Sequence, residues 1–384
     1  MSAVPVDRSD GSEAAGAPDG APWRVVGAGP VALAFALFLV RRGVPSRAIV
    51  LEPPAEDDAP LPPGLAARTL ALSHGTRQLL ERIVALPAAG TIGRVEVSMR
   101  GHAGRTRIVA ADLRVPALGH VVRYGALLDA LRGAARAHRW APDGAGSAAL
   151  VVHAEGDAGE DADVREFDQS ALLAEVRAPH AAAALHDTAF ERFTPEGPLA
   201  LLPLPEPARW TLVWCDRAGR CAERRDAGAE ALSAELQARF GEALGPLRVE
   251  GTRAVAPLVR RARRVTVRDG EAWIGNAAQA LHPVAGQGLN LGLRDAFELA
   301  DTIAIARRRG TAPAAALEAW RRGRRVDRAA TIALTDLMAA SFTWPLARPL
   351  QSPLLAALDA IGPLRRPLAA QLMFGRRRSD RAAD

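Results

Sequence analysis

Apolar positions in this chain fall into short runs separated by helical stretches, and that alternation predicts an α/β protein. Trp23–Val26 reads as a strand, Pro30–Arg42 as a helix stopped by Gly43, and Ala48–Leu51 as a second strand closing on Glu52. Arg68–Val84 and Leu118–Leu131 read as loops entering helices. Arg94–Arg100 and Arg105–Ala111 predict a hairpin around Gly101–Gly104. Ala149–Ala154 reads as a strand, ending in Glu155-Gly156 and an acidic loop. From Phe167 to Cys215 the spacing changes. The runs Ala171–Val176, Thr188–Phe193, Leu199–Leu204 and Thr211–Cys215, parted by turn residues, predict an antiparallel sheet. A helix over Ala229–Phe240 and a strand over Leu247–Pro257 follow. Ala272–Ile274 then ends a strand, Pro283, Gly286 and Gly288 form a turn, and Leu289–Ile305 repeats apolar residues at helical spacing. An Arg-rich helix, Ala312–Ala330, precedes a Pro-punctuated helical tail.

Composition narrows this picture only a little. The chain is 384 residues long and 49% hydrophobic, enough for a large core or two interlocked domains. Its basic side chains are all Arg and give a net charge of +6, but acidic residues are interspersed and aromatics are 4%, too few for base-stacking platforms. Nucleic acid is therefore not an expected partner. Cys215 and Cys221 form neither a disulfide framework nor a metal site, which suits a reducing cytoplasm. Residues 1–22 lack the basic and apolar regions of a signal peptide and read as a disordered leader. The apolar run Val31–Val40 is too short to span a bilayer.

Two stretches carry chemistry. Gly27-Ala28-Gly29-Pro30-Val31-Ala32 lies between the first strand and helix in the dinucleotide fingerprint, with Ala32 in the third glycine's place. Its glycines let backbone approach a pyrophosphate. Glu52, about 20 residues further on, is placed to hold ribose hydroxyls. The second stretch, Gly275–Arg294, is a Gly-rich turn into a helix start. The free N–H groups and positive dipole there suit a pyrophosphate or an oxygen gaining charge.

With these motifs located, the chain resembles flavin-dependent aromatic hydroxylases of the ubiquinone-biosynthesis type, the 2-polyprenylphenol hydroxylases. Ile274–Asp295 carries the resemblance most specifically, with Asn276 pointing to that subgroup. Arg68–Ser73, Ala117–Val122, Ala189–Phe193, Gly197–Pro203 and Leu212–Trp214 support it. The resemblance implies a Rossmann-like FAD-binding domain interleaved with an antiparallel-sheet substrate domain, and a helical C-terminal tail. The FAD-binding parts are expected over 23–164, with a substrate-side hairpin near 94–111, and over 253–336. The substrate sheet is expected over 165–252 and the tail over 337–384. The implied reaction reduces FAD with transiently bound NADH or NADPH, forms a flavin C4a-hydroperoxide with oxygen, and hydroxylates an aromatic ring.

The resemblance also assigns residues. Gly27, Gly29, Ala32, Glu52, Arg68, Gly275, Asn276, Gly286 and Gly288 are expected at the cofactor, with no metal ligands. Leu289 and Asn290 would offer backbone N–H groups to the flavin's N1–C2=O edge, and Pro283 would lie near its reactive face. His282 is a candidate base for a phenol, or a histidine held under the loop. Two departures stand out: the stretch between Leu131 and Ala149 is shorter than the family pattern, and Glu155-Gly156 replaces an Asp-Gly pair. They keep open a second reading, a non-catalytic scaffold of a biosynthetic complex. A hydroxylase of a soluble aromatic is a third. The mixed apolar and Arg-rich tail allows peripheral contact at the inner face of a membrane.

Overall fold

The computed structural model describes residues 23–53, 61–101, 105–142, 148–156, 158–282, 286–343 and 373. The expected leader, Pro283 and nearly all of the tail beyond 343 lie outside these residues.

Strand β1 (Trp23–Val26) turns into helix α1 (Pro30–Arg41), and β2 (Ile49–Glu52) returns parallel to β1. Proline at the first turn of α1 gives up an N–H that would have no helical partner. Residues Pro30–Leu39 are all buried, so the longest apolar run is a core helix. Next come α2 (Pro63–Ala67), β3 (Thr69–Ser73), α3 (His74–Leu80), β4 (Gly90–Ile92), β5 (Arg94–Met99), β6 (Arg105–Val109), β7 (Gly119–Arg123) and α4 (Tyr124–Arg136). The middle of the chain supplies β8 (Leu150–His153), β9 (Ala162–Arg177), β10 (Thr188–Thr194), β11 (Gly197–Pro203), β12 (Arg209–Asp216), α5 (Ala218–Asp226), α6 (Ala229–Phe240) and β13 (Arg248–Arg263). Then follow β14 (Val267–Arg268), β15 (Glu271–Trp273), β16 (Gln279–Ala280), α7 (Gln287–Arg308) and α8 (Pro313–Thr343).

Three sheets result. A five-stranded sheet has the order β14-β15-β8-β1-β2, parallel except at β14, with α1 and α7 packed together beside it. Beyond β2 a doubly wound sheet ordinarily adds a strand. Among the described residues that position holds a single bridge, Val50 to Ala141, where the sequence is short. The second sheet has eight strands in the order β16-β13-β9-β12-β11-β10-β5-β6. Its long strands β9 and β13 run through residues 165 and 253, so the sheet continues past both expected boundaries. The third sheet, β3-β7-β4, corrects the loops expected near 68 and 118. Five-residue strands that pass directly into α3 and α4 are too short to display a period of their own.

Helices α5 and α6 cover one face of the large sheet. Leu172, Ala174 and Val176 of β9 and Trp210, Leu212 and Trp214 of β12 point toward them, as strand alternation requires. Helix α5 had no strong apolar signal and was not anticipated; Arg224 explains why it docks. Its guanidinium lies 3.9 Å from the Trp214 ring centroid and pairs with Asp216 at 2.7 Å and Glu235 at 2.9 Å. Arg224 and Asp216 are almost fully buried. Replacing Arg224 with Met leaves Asp216 charged and unpaired. The expected loss is about 3–5 kcal/mol of stability, read from urea unfolding; a loss under about 1 kcal/mol would show that the pair is solvated.

Candidate functional site

A cleft of about 1100 Å³ opens at the C-terminal ends of β1, β2 and β8, where parallel α/β sheets bind ligands. One wall is the turn Gly27–Gly29 with Glu52. Asn276, Gly286, Gly288 and Leu289 form another, and the cleft-facing side of the large sheet forms the third.

Backbone constraints build the first two walls. Gly27 has φ +130, and a Cβ on it would sit 2.9 Å from the Ala154 carbonyl. The turn is locked by Gly27 N–H donating to the Glu52 carbonyl at 2.7 Å and Ala154 N–H donating to the Val26 carbonyl at 2.8 Å. At Gly275 φ is +61, and a Cβ on Gly292 of α7 would lie 2.8 Å from the Gly275 Cα. Glycine at both positions lets α7 lie against the segment behind α1, so both helices aim their N-termini at one cleft. Gly286 caps α7 in the left-handed region at φ +57. In the first turn of α7 the backbone N–H groups of Gly288 and Leu289 have no acceptor within the helix. A Cβ on Gly288 would meet open space, so backbone there is accessible to a flat ligand.

The expected site residues divide into two groups. Gly27, Gly29, Glu52, Arg68, Asn276, Gly286, Gly288 and Leu289 meet around the cleft. Ala32 and Gly275 are buried behind it, where they set helix packing. Asn290 is buried too, and its side chain does the anchoring. It accepts from Ser73 N–H at 2.8 Å and donates to the carbonyls of Ala71 at 2.8 Å and Gly286 at 2.7 Å. This staples the start of α7 to β3. Pro283 lies outside the described residues.

Glu52 pairs with Arg24 at 2.6 Å, which aims the carboxylate; its second oxygen still has acceptor capacity. Tyr124, Glu155 and Gly156 also line the cleft and were not assigned to it from sequence. Only Glu155-Gly156 had a signal, as the departure from the Asp-Gly pair. His282 is 1% exposed, packs edge-on to Phe167 at 5.0 Å, and is held by burial at a pKa of about 4. It does not line the cleft, which opposes the base role. Arg260 pairs with Asp163 at 2.7 Å and Arg263 lies 4.0 Å from the Trp273 ring centroid. Among the described residues, no group of three or more His, Cys, Asp or Glu could hold a metal.

The sheet wall is apolar, with a charged rim. Ala171 and Leu173 of β9, Val213 of β12, Leu202 of β11 and Ala254 and Ala256 of β13 face the cleft. Small side chains here leave width. At the rim Glu175 pairs with Arg123, whose guanidinium it helps keep protonated, and with Arg209 at 3.7 Å. Thr69 and Thr211 join the two sides through a 3.0 Å hydroxyl contact.

Residues 141–334 match the FAD binding domain family. The chain is 30% identical over 330 residues to the 3-demethoxyubiquinol 3-hydroxylase of Escherichia coli, covering 75% of this chain and 81% of that one. It is 38% identical over 185 residues to the ubiquinone hydroxylase UbiL of Rhodospirillum rubrum, covering 46% of this chain and 42% of that relative's length. In structure it is similar to the p-nitrophenol 4-monooxygenase PnpA of Pseudomonas putida DLL-E4. The TM-score is 0.68 at 18% identity, covering 93% of this chain and 99% of the other, a likeness of fold.

Two predictions follow from the geometry. Gly27→Ala forces a side chain into positive φ and against the Ala154 carbonyl. It is expected to cost at least about 1–3 kcal/mol and to empty the cleft of ligand, checked by chemical unfolding and by ligand retention on a desalting column. His282 is buried neutral, its pKa lowered by burial to about 4 from the ordinary 6.5. Between those values the unfolded chain binds the extra proton, so its contribution is complete above about pH 6.5 and is lost as pH falls toward 4. The loss amounts to up to about 3 kcal/mol. His282→Gln should flatten that part of the stability–pH curve; an unchanged slope would mean the imidazole is solvated.

Proposed function

Because the chain belongs to the FAD binding domain family, we propose that its cleft holds FAD and serves hydroxylation of an aromatic ring, specifically a polyprenylated phenol of ubiquinone biosynthesis. One observation carries this reading: two motifs far apart in sequence, around Gly27 and Gly288, open on one cleft whose third wall is apolar. The residues fit the cofactor. Glu52 would hold the ribose, the N-terminus of α1 the pyrophosphate, and the N-terminus of α7 the electron-rich edge of the flavin ring. Arg68 and Asn276 would flank it. When bound and reduced by NADH or NADPH, FAD supplies the oxygen-activating chemistry.

The chain's own tasks are then to hold the ring, exclude water and place the aromatic substrate on the sheet wall. Leu173, Leu202 and Val213, with the small residues Ala254 and Ala256, give the cleft an apolar wall against which an aliphatic substituent would lie. Such a substrate resides in a membrane. No described helix is long and apolar enough to cross one, so contact with the bilayer or with a biosynthetic complex would be peripheral. The cleft with both motifs facing it supports an enzyme over a scaffold, even with the sheet shortened beyond β2.

Purified protein should show visible flavin bands, either as isolated or after adding FAD. Glu52→Gln removes a charge-assisted hydrogen bond of about 1.5–3 kcal/mol. It should weaken FAD binding roughly 10- to 100-fold, measured by quenching of flavin fluorescence. Absence of bands with excess FAD, in protein that is folded, would overturn the reading.

A further inference from the structure

On β10, the cleft-facing side of the large sheet carries a carboxylate that the site described above does not use. Glu191 lies on β10 opposite Ala200 of β11, Ala200 opposite Val213 of β12, and Val213 opposite Leu173 of β9. Residues paired directly across strands share a face, and Val213 and Leu173 line the cleft. Glu191 therefore points to the cleft side. Leu202, a cleft residue on the neighbouring strand, is its diagonal neighbour, at about 7–8 Å for such pairs. One phenol ring spans that distance.

The surroundings of Glu191 are unusual for a carboxylate. Its neighbours on the same face of β5 are Val95, Val97 and Met99, and on β11 they are Ala200 and Leu202, none of them ionisable. On β12 the neighbouring ionisable group is the Cys215 thiol, which burial and Glu191 itself hold well above the ordinary thiol range, so it stays neutral. Arg192 projects to the opposite face, where it donates to the Arg239 carbonyl at 2.9 Å. Among the described residues the Glu191 side chain takes no ion pair or hydrogen bond, yet the residue keeps some accessible surface. A structural buried carboxylate is ordinarily paired. An unpaired one on the face of the sheet that forms the cleft wall is placed to meet a ligand's proton.

We propose that Glu191 is the catalytic base that accepts the proton of the phenolic substrate. The inference rests on the aromatic hydroxylase reading. In this step the phenol O–H bond breaks, its proton forms an O–H bond with the Glu191 carboxylate, and the electron pair stays on the phenolic oxygen. That pair enriches the ring carbons ortho and para to it, which is what attack on an electrophilic oxygen requires. No oxidant or reductant is consumed in the transfer. Burial raises the Glu191 carboxyl to about 7 with no described arginine to oppose it, so it is ionised on the alkaline side of neutrality and basic enough to take the proton there.

The test is Glu191→Gln in the FAD-loaded enzyme, assayed with two substrates, an unactivated alkylphenol and a nitrophenol that is already ionised at pH 8. With the alkylphenol, kcat is expected to fall about 10²- to 10⁴-fold, and the acid limb of kcat/KM near pH 7 should disappear. With the nitrophenol the variant should come within a few-fold of wild type, because the proton has already left. The bound-flavin spectrum should stay unchanged. Stability above pH 7 should be equal or higher, since a buried charge has been removed. Equal losses on both phenols, or none on either, would overturn the role of Glu191 while leaving the hydroxylase reading intact. A wild-type protein that binds FAD and hydroxylates neither phenol would overturn the reading and this inference with it.

Discussion

The close contact of α7 with the segment behind α1 is the constraint on which the site depends. Gly275 and Gly292 meet where a methyl group on Gly292 would approach backbone to 2.8 Å, with Val31 packed against the same spot. Larger side chains would push the helices apart and turn the two N-termini away from each other. With the contact in place, the N-terminal ends of α1 and α7 face one cleft. Asn290 then fixes the entry to α7 by tying it to β3 through two hydrogen bonds and to the Gly286 carbonyl through a third. The dipoles of both helices are thus oriented before any ligand arrives, which is what electrostatic preorganisation means in structural terms.

The large sheet works by having two unlike faces. One is filled by Trp210, Trp214 and their neighbours under α5 and α6, and supplies rigidity. The other is lined with small and aliphatic side chains and supplies space. Charges on the open side are held at the rim, where Arg123, Glu175 and Arg209 neutralise one another. Glu191 is the exception, set among apolar neighbours without a counter-ion. A carboxylate in such a place costs stability, and the cost is understandable if its basicity is used.

Truncation beyond β2 tests how much of a doubly wound sheet the site needs. Among the described residues only the Val50–Ala141 bridge stands beyond β2, yet the turn at Gly27 is held from its other side by Ala154 at the end of β8. Glu52 keeps its orientation through Arg24 of the adjacent strand. The ligand-facing ends of β1, β2 and β8 are fixed by hydrogen bonds among themselves, so the loss falls on the sheet's edge and not on its centre.

The first strand–turn–helix–strand unit was legible from sequence because its signals are local: a glycine pair, a helix start, an acidic residue at a set distance. The same holds for the Gly-rich turn at α7 and for helix α6, whose bounds Ala229 and Phe240 coincide with the expectation. Strands β3 and β7 were not legible, since five residues hold too little periodicity and their partners lie far along the chain. Helix α5 was hidden because a buried arginine, not an apolar stripe, docks it. Among site residues, sequence determined which backbone positions must be glycine and which helix ends are free. Only the tertiary structure decided that Ala32, Gly275 and Asn290 support the cleft from behind, that His282 is buried and neutral, and that Glu191 shares a face with the cleft wall. Those outcomes depend on strand register and helix contacts between distant segments, and no local pattern encodes a distance across a sheet.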